Sequence, residues 1–148
     1  MKRMFANSLV VLVMFVCAVS AFAQGKWNFS ETTSGMDGVK ISVATLPANS
    51  SEETLIVRCT GKKLEIYIHA GNVVDEEYGE RVKFDDGRPQ HQMWGRSSSY
   101  DSLFAPGAGK LLHELQSSHT FMFEYHPYQK VATTATFDVV GLPITGCN

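Results

Sequence analysis

The feature that most limits the fold of this chain is a repeated alternation of apolar and polar residues. Residues 39–46 (VKISVATL) place Val39, Ile41 and Val43 on one side of an extended chain and polar or small residues on the other. A period of two is the pattern of a half-buried β-strand. Similar β-branched and aromatic runs occupy residues 54–59, 63–69, 81–84, 90–94, 120–126 and 131–140. The chain is therefore predicted to be mainly β.

Short connections between these runs predict antiparallel neighbours. Gly35 to Gly38 forms a turn, and Gly61 lies in a tight hairpin between the second and third strands. Only residues 108–117 (AGKLLHELQS) have helical spacing, with Leu111, Leu112 and Leu115 on one face. We predict a single antiparallel, sandwich-like domain over residues 24–148, with seven or eight strands and one short helix.

The N-terminus predicts export. A basic start at Lys2 and Arg3 precedes the apolar run 9–19, and an A-x-A pattern ends at Ala23. This is the organisation of a secretory signal peptide, here residues 1–23, cleaved after Ala23. The apolar run is shorter than the roughly 20 residues of a membrane span, so the mature chain is expected to contain no integral membrane segment and to be periplasmic or secreted.

One alternative for the N-terminus is a lipid anchor on Cys17. Val16 argues against it, because a small residue is expected before a lipidated cysteine.

A chain that begins at residue 24 has 11 basic and 15 acidic residues, a net charge of −4. That sign gives no electrostatic reason to bind nucleic acid or an anionic membrane.

Two cysteines, Cys59 and Cys147, remain after cleavage. In an oxidising compartment they predict one disulfide that ties the C-terminus to a central strand. The alternative is a pair of free thiols with a redox role. It lacks both a C-x-x-C motif and a plausible helix N-terminus for thiol activation.

Residues 81–96 (RVKFDDGRPQHQMWGR) predict a β-hairpin. Two alternating runs flank a turn at Asp86-Gly87, where glycine adopts a positive φ at little cost. Pro89 has no N–H to donate to a ladder, so the second strand is expected to start late or to lie at a sheet edge.

Motifs for catalysis and metal binding are incomplete. The 106–110 segment (PGAGK) lacks the spacing of a phosphate loop. The serine run at 97–102 lacks a nucleophile elbow and is predicted to be a flexible loop. The histidines have no metal-ligand spacing, and the acidic run at 75–80 lacks that of a calcium loop. We predict a protein that is not an enzyme and uses no cofactor or metal. The sequence indicates no particular small-molecule ligand.

The candidate binding surface is the hairpin and the segment that follows it. Its residues are Asp85, Asp86, Trp94, Arg96, Ser98 and Tyr100. Exposed aromatic residues beside arginine are typical of binding surfaces. Trp94 is open to two interpretations, a core residue, which is favoured, or an exposed anchor. The two aspartates suit a turn as well as a site.

The order of segments resembles a known family. "LIVRCTGKKLEIYI", "RVKFDDGRPQHQMWGRSSSYDSLFAP", the leucine-rich helix, "FMFEYHPY", "ATFDVVGL" and a terminal cysteine follow one another, with Trp27 near the start. This resembles the VasI/TagO family of accessory proteins of type VI secretion and their bacterial and phage relatives. The resemblance implies a bacterial envelope protein without assigned catalytic residues. The tail after Gly141 is shorter than in that family.

These observations favour an exported, non-enzymatic accessory protein that binds another envelope protein. One alternative is a periplasmic inhibitor of a lysozyme-type cell-wall hydrolase, with residues 97–102 entering the active-site cleft. Another is a cell-wall hydrolase or carbohydrate-binding protein, in which Trp94 and Tyr100 stack on sugars and Asp85 or Asp86 serves as an acid.

Overall fold

The computed structural model describes residues 26–71 and 78–148. The predicted signal peptide and residues 72–77 of the predicted acidic loop lie outside the described residues. The described chain forms ten strands and one helix, in the order β1 (Asn28–Thr33), β2 (Lys40–Pro47), β3 (Thr54–Thr60), β4 (Lys63–His69), β5 (Glu80–Phe84), β6 (Gln90–Gln92), β7 (Gly95–Arg96), β8 (Ser102–Phe104), α1 (Ala108–Ser117), β9 (Thr120–Tyr125) and β10 (Thr133–Asp138).

Six strands form the first sheet, in the order β1-β2-β3-β4-β8-β7, with every neighbouring pair antiparallel. The predicted strands at 39–46, 54–59 and 63–69 correspond to β2, β3 and β4. Gly61 has a φ of 55° in the two-residue turn between β3 and β4, which explains why glycine occurs there. Alternate residues such as Leu55 and Val57 face the core.

Four strands form the second sheet, in the order β10-β9-β5-β6. The predicted hairpin at 81–96 is confirmed, because β5 and β6 pair antiparallel with Val82 opposite Gln90. The positive φ in its turn lies at Asp85 (44°) and not at Gly87, where it was expected. As expected from Pro89, β6 begins at the next residue and lies at the sheet edge. The buried aromatic side chains of β9 and β10 are Phe121, Phe123, Tyr125 and Phe137.

The two sheets cross rather than run side by side. Trp27 Nε1, before β1, donates to Val139 O after β10 at 3.2 Å. Asn49 N, after β2, donates to Thr136 O within β10 at 2.8 Å. Since neighbouring strands of the first sheet reach successive positions along β10, β10 runs across the strand ends, as in orthogonally packed sheets. Buried residues from both sheets form a single hydrophobic cluster. The mainly β, sandwich-like prediction is confirmed.

The helix and the C-terminal tail close one side of the core. Helix α1 has the predicted bounds and buries Leu111, Leu112 and Leu115. Gln116 Nε2 on the helix donates to Ile144 O in the tail at 3.2 Å. The predicted disulfide between Cys59 and Cys147 is present, with 5.4 Å between the Cα atoms. It fastens the tail to β3.

Three strands of this fold were not predicted. All six residues of β1 are exposed, so its sequence (NFSETT) has no alternation to detect. Strands β7 and β8 contain two and three residues, which is too short for a periodic signal. In the described part of the chain, no helix has the length and apolar character needed to cross a bilayer.

Replacing both Cys59 and Cys147 with alanine is expected to lower the free energy of unfolding by about 4–5 kcal/mol, because the bridge spans 88 residues and restricts the unfolded chain. Urea denaturation monitored by circular dichroism measures this difference. Wild-type protein kept reduced serves as the control and should unfold at about the same urea concentration as the double variant. A loss below about 1 kcal/mol would contradict the stabilising role of the bridge.

Candidate binding surface

The loop between β7 and β8 is a hydrogen-bonded turn. Asp101 Oδ1 accepts hydrogen bonds from the hydroxyls of Ser99 at 2.7 Å, Ser102 at 3.0 Å and Ser97 at 3.1 Å. These hydroxyls hold the pKa of Asp101 below its usual range. Tyr100 N also donates to Ser97 O at 3.0 Å. The serine run was expected to be a flexible loop. It is instead an ordered turn, because the Asp101 carboxylate accepts hydrogen bonds from three of its serine hydroxyls.

Tyr100 lies in this turn in an unusual conformation. Its φ is 61°, in the left-handed region that glycine or asparagine adopts more easily. The guanidinium carbon of Arg96 lies 4.4 Å from the centre of the Tyr100 ring, within cation–π distance. The side chain is nevertheless 48% exposed. The turn therefore displays an aromatic side chain at a cost in backbone strain.

Trp94 belongs to the core, which decides between its two interpretations. It is only 6% exposed, and its ring centre lies 4.7 Å from that of Phe123. Its indole Nε1 donates to Gln92 Oε1 at 2.8 Å, and its backbone N donates to Glu80 Oε2 at 2.8 Å. The interpretation of Trp94 as an exposed anchor is therefore wrong, because its ring fills the space between the sheets.

Glu80 is a buried acid at the start of β5, with 3% of its surface exposed. Burial raises its pKa, and the hydrogen bond from Trp94 N opposes this shift only in part. The carboxylate accepts the backbone N–H at the point where the chain leaves β6 for β7. Glu80 thus positions the segment that leads to Arg96 and Tyr100.

Asp85 and Asp86 follow the other end of β5 from Glu80, and the strand from Glu80 to Phe84 spans four residue steps, about 13 Å. Asp85 Oδ1 accepts the backbone N–H groups of Thr120 at 2.8 Å and His119 at 2.9 Å, and these bonds lower its pKa. Asp85 therefore ties the β5–β6 turn to the start of β9. The two aspartates do not join the surface formed by Arg96, Ser98 and Tyr100, which corrects the predicted grouping.

Three further exposed side chains were not among the predicted surface residues. Tyr78, Met93 and Tyr128 are 59%, 69% and 56% exposed. The Tyr78 ring centre lies 4.7 Å from that of His126, and Met93 Sδ lies over Gly79. Because Tyr78 and Gly79 are consecutive, Tyr78, Met93 and His126 form one group, and Met93 precedes Arg96 by three residues along the chain. The only sequence signal was a tyrosine in each of two connecting segments, where alternation stops.

We use the term tyrosine surface for this set of exposed and partly exposed side chains. Its members are Tyr78, Met93, Arg96, Ser98, Tyr100, His126 and Tyr128. Tyrosine and serine supply large contact area and adaptable hydrogen bonds at a low cost in side-chain entropy. Residues of these types are common in binding surfaces of other proteins.

Other polar groups near this surface are engaged in structure. Ser102 is 7% exposed, lies 3.2 Å from His69 Nδ1 and directs its hydroxyl to Asp101. Glu53 is 4% exposed, and its Oε1 accepts the Tyr125 hydroxyl at 2.8 Å. Within the two described ranges, no three or more His, Cys, Asp or Glu side chains are grouped to hold a metal ion. The contacts of these groups support the loop and join the sheets.

Comparison with known proteins yields no match at the level of protein families, curated proteins or solved structures.

The Glu80→Gln variant is expected to be more stable than wild type at neutral pH. Glutamine keeps an acceptor for Trp94 N, and the ionised carboxylate, whose pKa is raised by burial, is disfavoured in the folded state. As the pH falls through this raised pKa toward 4.5, the folded wild type becomes protonated first and gains stability, so the difference should close.

Urea denaturation of both proteins at several pH values between 4.5 and 8 measures this effect. Glu80→Ala is the matched control and should be destabilised by about 1–3 kcal/mol or more at every pH, because it leaves the buried Trp94 N–H without an acceptor. A difference between wild type and Glu80→Gln that is constant with pH would contradict an ionised, buried Glu80.

Proposed function

We propose that this protein is an exported, non-enzymatic accessory protein of the bacterial envelope that binds another envelope protein through the tyrosine surface. The signal-peptide pattern of residues 1–23 and the disulfide suit an oxidising compartment outside the cytoplasm. The resemblance of the chain to VasI/TagO proteins supports an accessory role beside type VI secretion or in a related locus.

The observation that carries this proposal is the conformation of Tyr100. A positive φ at a bulky residue costs of order 1–3 kcal/mol, and glycine would remove that cost. Three serine hydroxyls on Asp101 nevertheless hold the turn in place. A use for the exposed ring would account for a tyrosine at this strained position, and tyrosine and arginine are among the residues that most often dominate binding energy at interfaces.

The wider surface suits a protein partner. Tyr78 and Met93 add exposed apolar area three or more residues before Arg96 along the chain, and Ser98 and Ser99 provide polar groups in the turn. Interfaces combine such aromatic and methionine contacts with a polar rim. A partner that covers Tyr100 and Tyr78 together would bury apolar surface that now faces water.

Tyr100→Gly is expected to abolish partner binding without unfolding the protein. Relief of backbone strain offsets the lost contact with Arg96, so the free energy of unfolding should change by no more than about 1 kcal/mol. The measurement is affinity capture from bacterial envelope extract with oxidised bait of residues 24–148, followed by titration calorimetry with each captured protein after purification.

Two variants control this experiment. Tyr100→Phe keeps the ring and should retain the partner, whereas Gln129→Gly relieves a second positive φ, of 58°, and calibrates the stability gain from glycine. Equal binding of every captured protein by wild type and Tyr100→Gly would refute binding through Tyr100. Capture of no protein above a bait-free control would refute the accessory role.

The preformed β7–β8 turn also favours a second candidate function, inhibition of a lysozyme-type cell-wall hydrolase. A loop that is hydrogen-bonded before binding loses little conformational entropy when it enters an active-site cleft.

Titration of the oxidised protein into a peptidoglycan-hydrolysis assay with lysozyme tests this second function. Inhibition should weaken in Asp101→Ala, which releases the three serine hydroxyls, and should persist in Ser117→Ala, which removes a serine hydroxyl at the end of α1, outside the loop. An unchanged hydrolysis rate at excess protein would remove this candidate and leave the accessory role standing.

A further inference from the structure

The four outer edges of the two sheets differ in how well they are protected. Strand β7 has only two residues, and β6 has three that follow Pro89 directly. In β10, the outward carbonyl of Thr136 accepts Asn49 N, so the loop after β2 covers part of that edge. Short strands, proline and covering loops are the usual means of preventing unwanted strand pairing. Three of the four edges therefore show such protection.

The fourth edge, β1, has none of these features. It pairs with β2 over six consecutive residues, and its sequence (NFSETT) contains no proline and no lysine. Its single charged side chain, Glu31, is held by Lys40 Nζ at 3.0 Å and by the Ser42 hydroxyl at 3.0 Å. All six residues are exposed. This edge is long, regular and electrostatically compensated.

The register shows which backbone groups of β1 face outward. Ser34 N donates to Val39 O at 2.8 Å, and the same pairing continues through β1 and β2. In an antiparallel ladder the bonding direction alternates, so Thr32 and Ser30 bond to β2 while Thr33, Glu31 and Phe29 point away from it. Within the two described ranges, no strand pairs with that outer side of β1. Three N–H and three C=O groups thus form an open ladder.

We propose that the outer edge of β1 binds an extended strand of another polypeptide by strand addition. This inference goes beyond the proposed function and uses a surface separate from the tyrosine surface, since β1 and β7 are opposite edges of the first sheet. Backbone bonding to Phe29, Glu31 and Thr33 supplies affinity, and the side chains that alternate across the added strand supply specificity.

The faces of β1 indicate the chemistry of the added strand. Phe29 is 49% exposed and, with Glu31, Ser42 and the tail residues 143–148, lines a groove of about 110 Å³. An apolar side chain of the added strand would pack on Phe29 from this side. Asn28, Ser30 and Thr32 line the other face, where polar side chains fit. The expected partner strand alternates apolar and polar residues.

A second copy of this chain fits the edge less well. Two β1 strands would bring together six residues from each chain, with Phe29 as the one large apolar side chain on each side. Stable interfaces commonly involve about 20–30 residues on each side. Strand pairing alone suits the reversible addition of a flexible segment.

The test uses a synthetic probe, the capped peptide KTVTVTVTK, with KTVTPTVTK as its matched control. Hydrogen exchange of wild-type residues 24–148, followed by NMR, should show at least tenfold slower exchange of the Phe29, Glu31 and Thr33 amides with saturating probe, and no change with the proline peptide. Because this measurement uses the unaltered protein, it does not depend on the folding of any variant.

A pair of variants locates the contact. Glu31→Pro and Glu31→Ala both lose the contacts with Lys40 and Ser42, but only proline also removes the outward N–H. Glu31→Pro should therefore bind the probe at least tenfold more weakly than Glu31→Ala.

Two results would overturn the proposal. The first is the absence of slowed exchange at those three amides with millimolar probe. The second is a wild-type dimer in sedimentation at micromolar concentration that Glu31→Pro abolishes, because the edge would then belong to a second copy of the chain.

Discussion

The hydrogen bond from Trp94 N to the buried carboxylate of Glu80 marks the place where the chain passes from one sheet to the other. Strand β6 is the edge of the second sheet and β7 is the edge of the first, so the segment 93–94 must cross the sandwich corner. Glu80 holds the backbone of that crossing, and the Trp94 ring on Phe123 fills the space beneath it. This contact sets the direction in which the chain enters β7, and therefore the positions of Arg96 and Tyr100.

Burying an ionisable group at that corner has a cost, because desolvation disfavours the charged carboxylate. An apolar residue at position 80 would avoid this cost but would leave the N–H of Trp94 without an acceptor inside the core. The opposite corner uses an exposed acid for a similar purpose. Asp85 accepts two backbone N–H groups where β9 begins. Because Asp85 is exposed to solvent, its charged form carries little desolvation cost. Glu80 at the start of β5 and Asp85 just after its end thus hold backbone N–H groups at the two ends of the second sheet.

Features that depend on local sequence were predictable. Alternation identified β2, β3, β4 and β9, leucine spacing identified α1, and the arrangement of Gly87 and Pro89 identified the hairpin. In β2, however, the buried face is Ser42, Ala44 and Leu46, not the side that carries Ile41 and Val43. Features that depend on distant contacts were not. The burial of Trp94 depends on its contacts with Phe123 and Glu80. The ordered turn in the serine run depends on the hydrogen bonds that Asp101 accepts. No sequence pattern in residues 94–102 predicts either feature. Strand β1 was not predicted, because a strand that is exposed on both faces shows no alternation of apolar and polar residues.

The first sheet holds the two candidate surfaces apart. Strands β1 and β7 are its opposite edges, with four strands between them, so the separation is about 24 Å at the usual strand spacing. The sheet between them is held by continuous ladders, by the crossing second sheet and by the Cys59–Cys147 bridge. A partner at Tyr100 and a strand at β1 would therefore contact different sides of one rigid frame and would not compete for space. Binding at both edges, as proposed above, would hold the two bound partners about 24 Å apart across the first sheet.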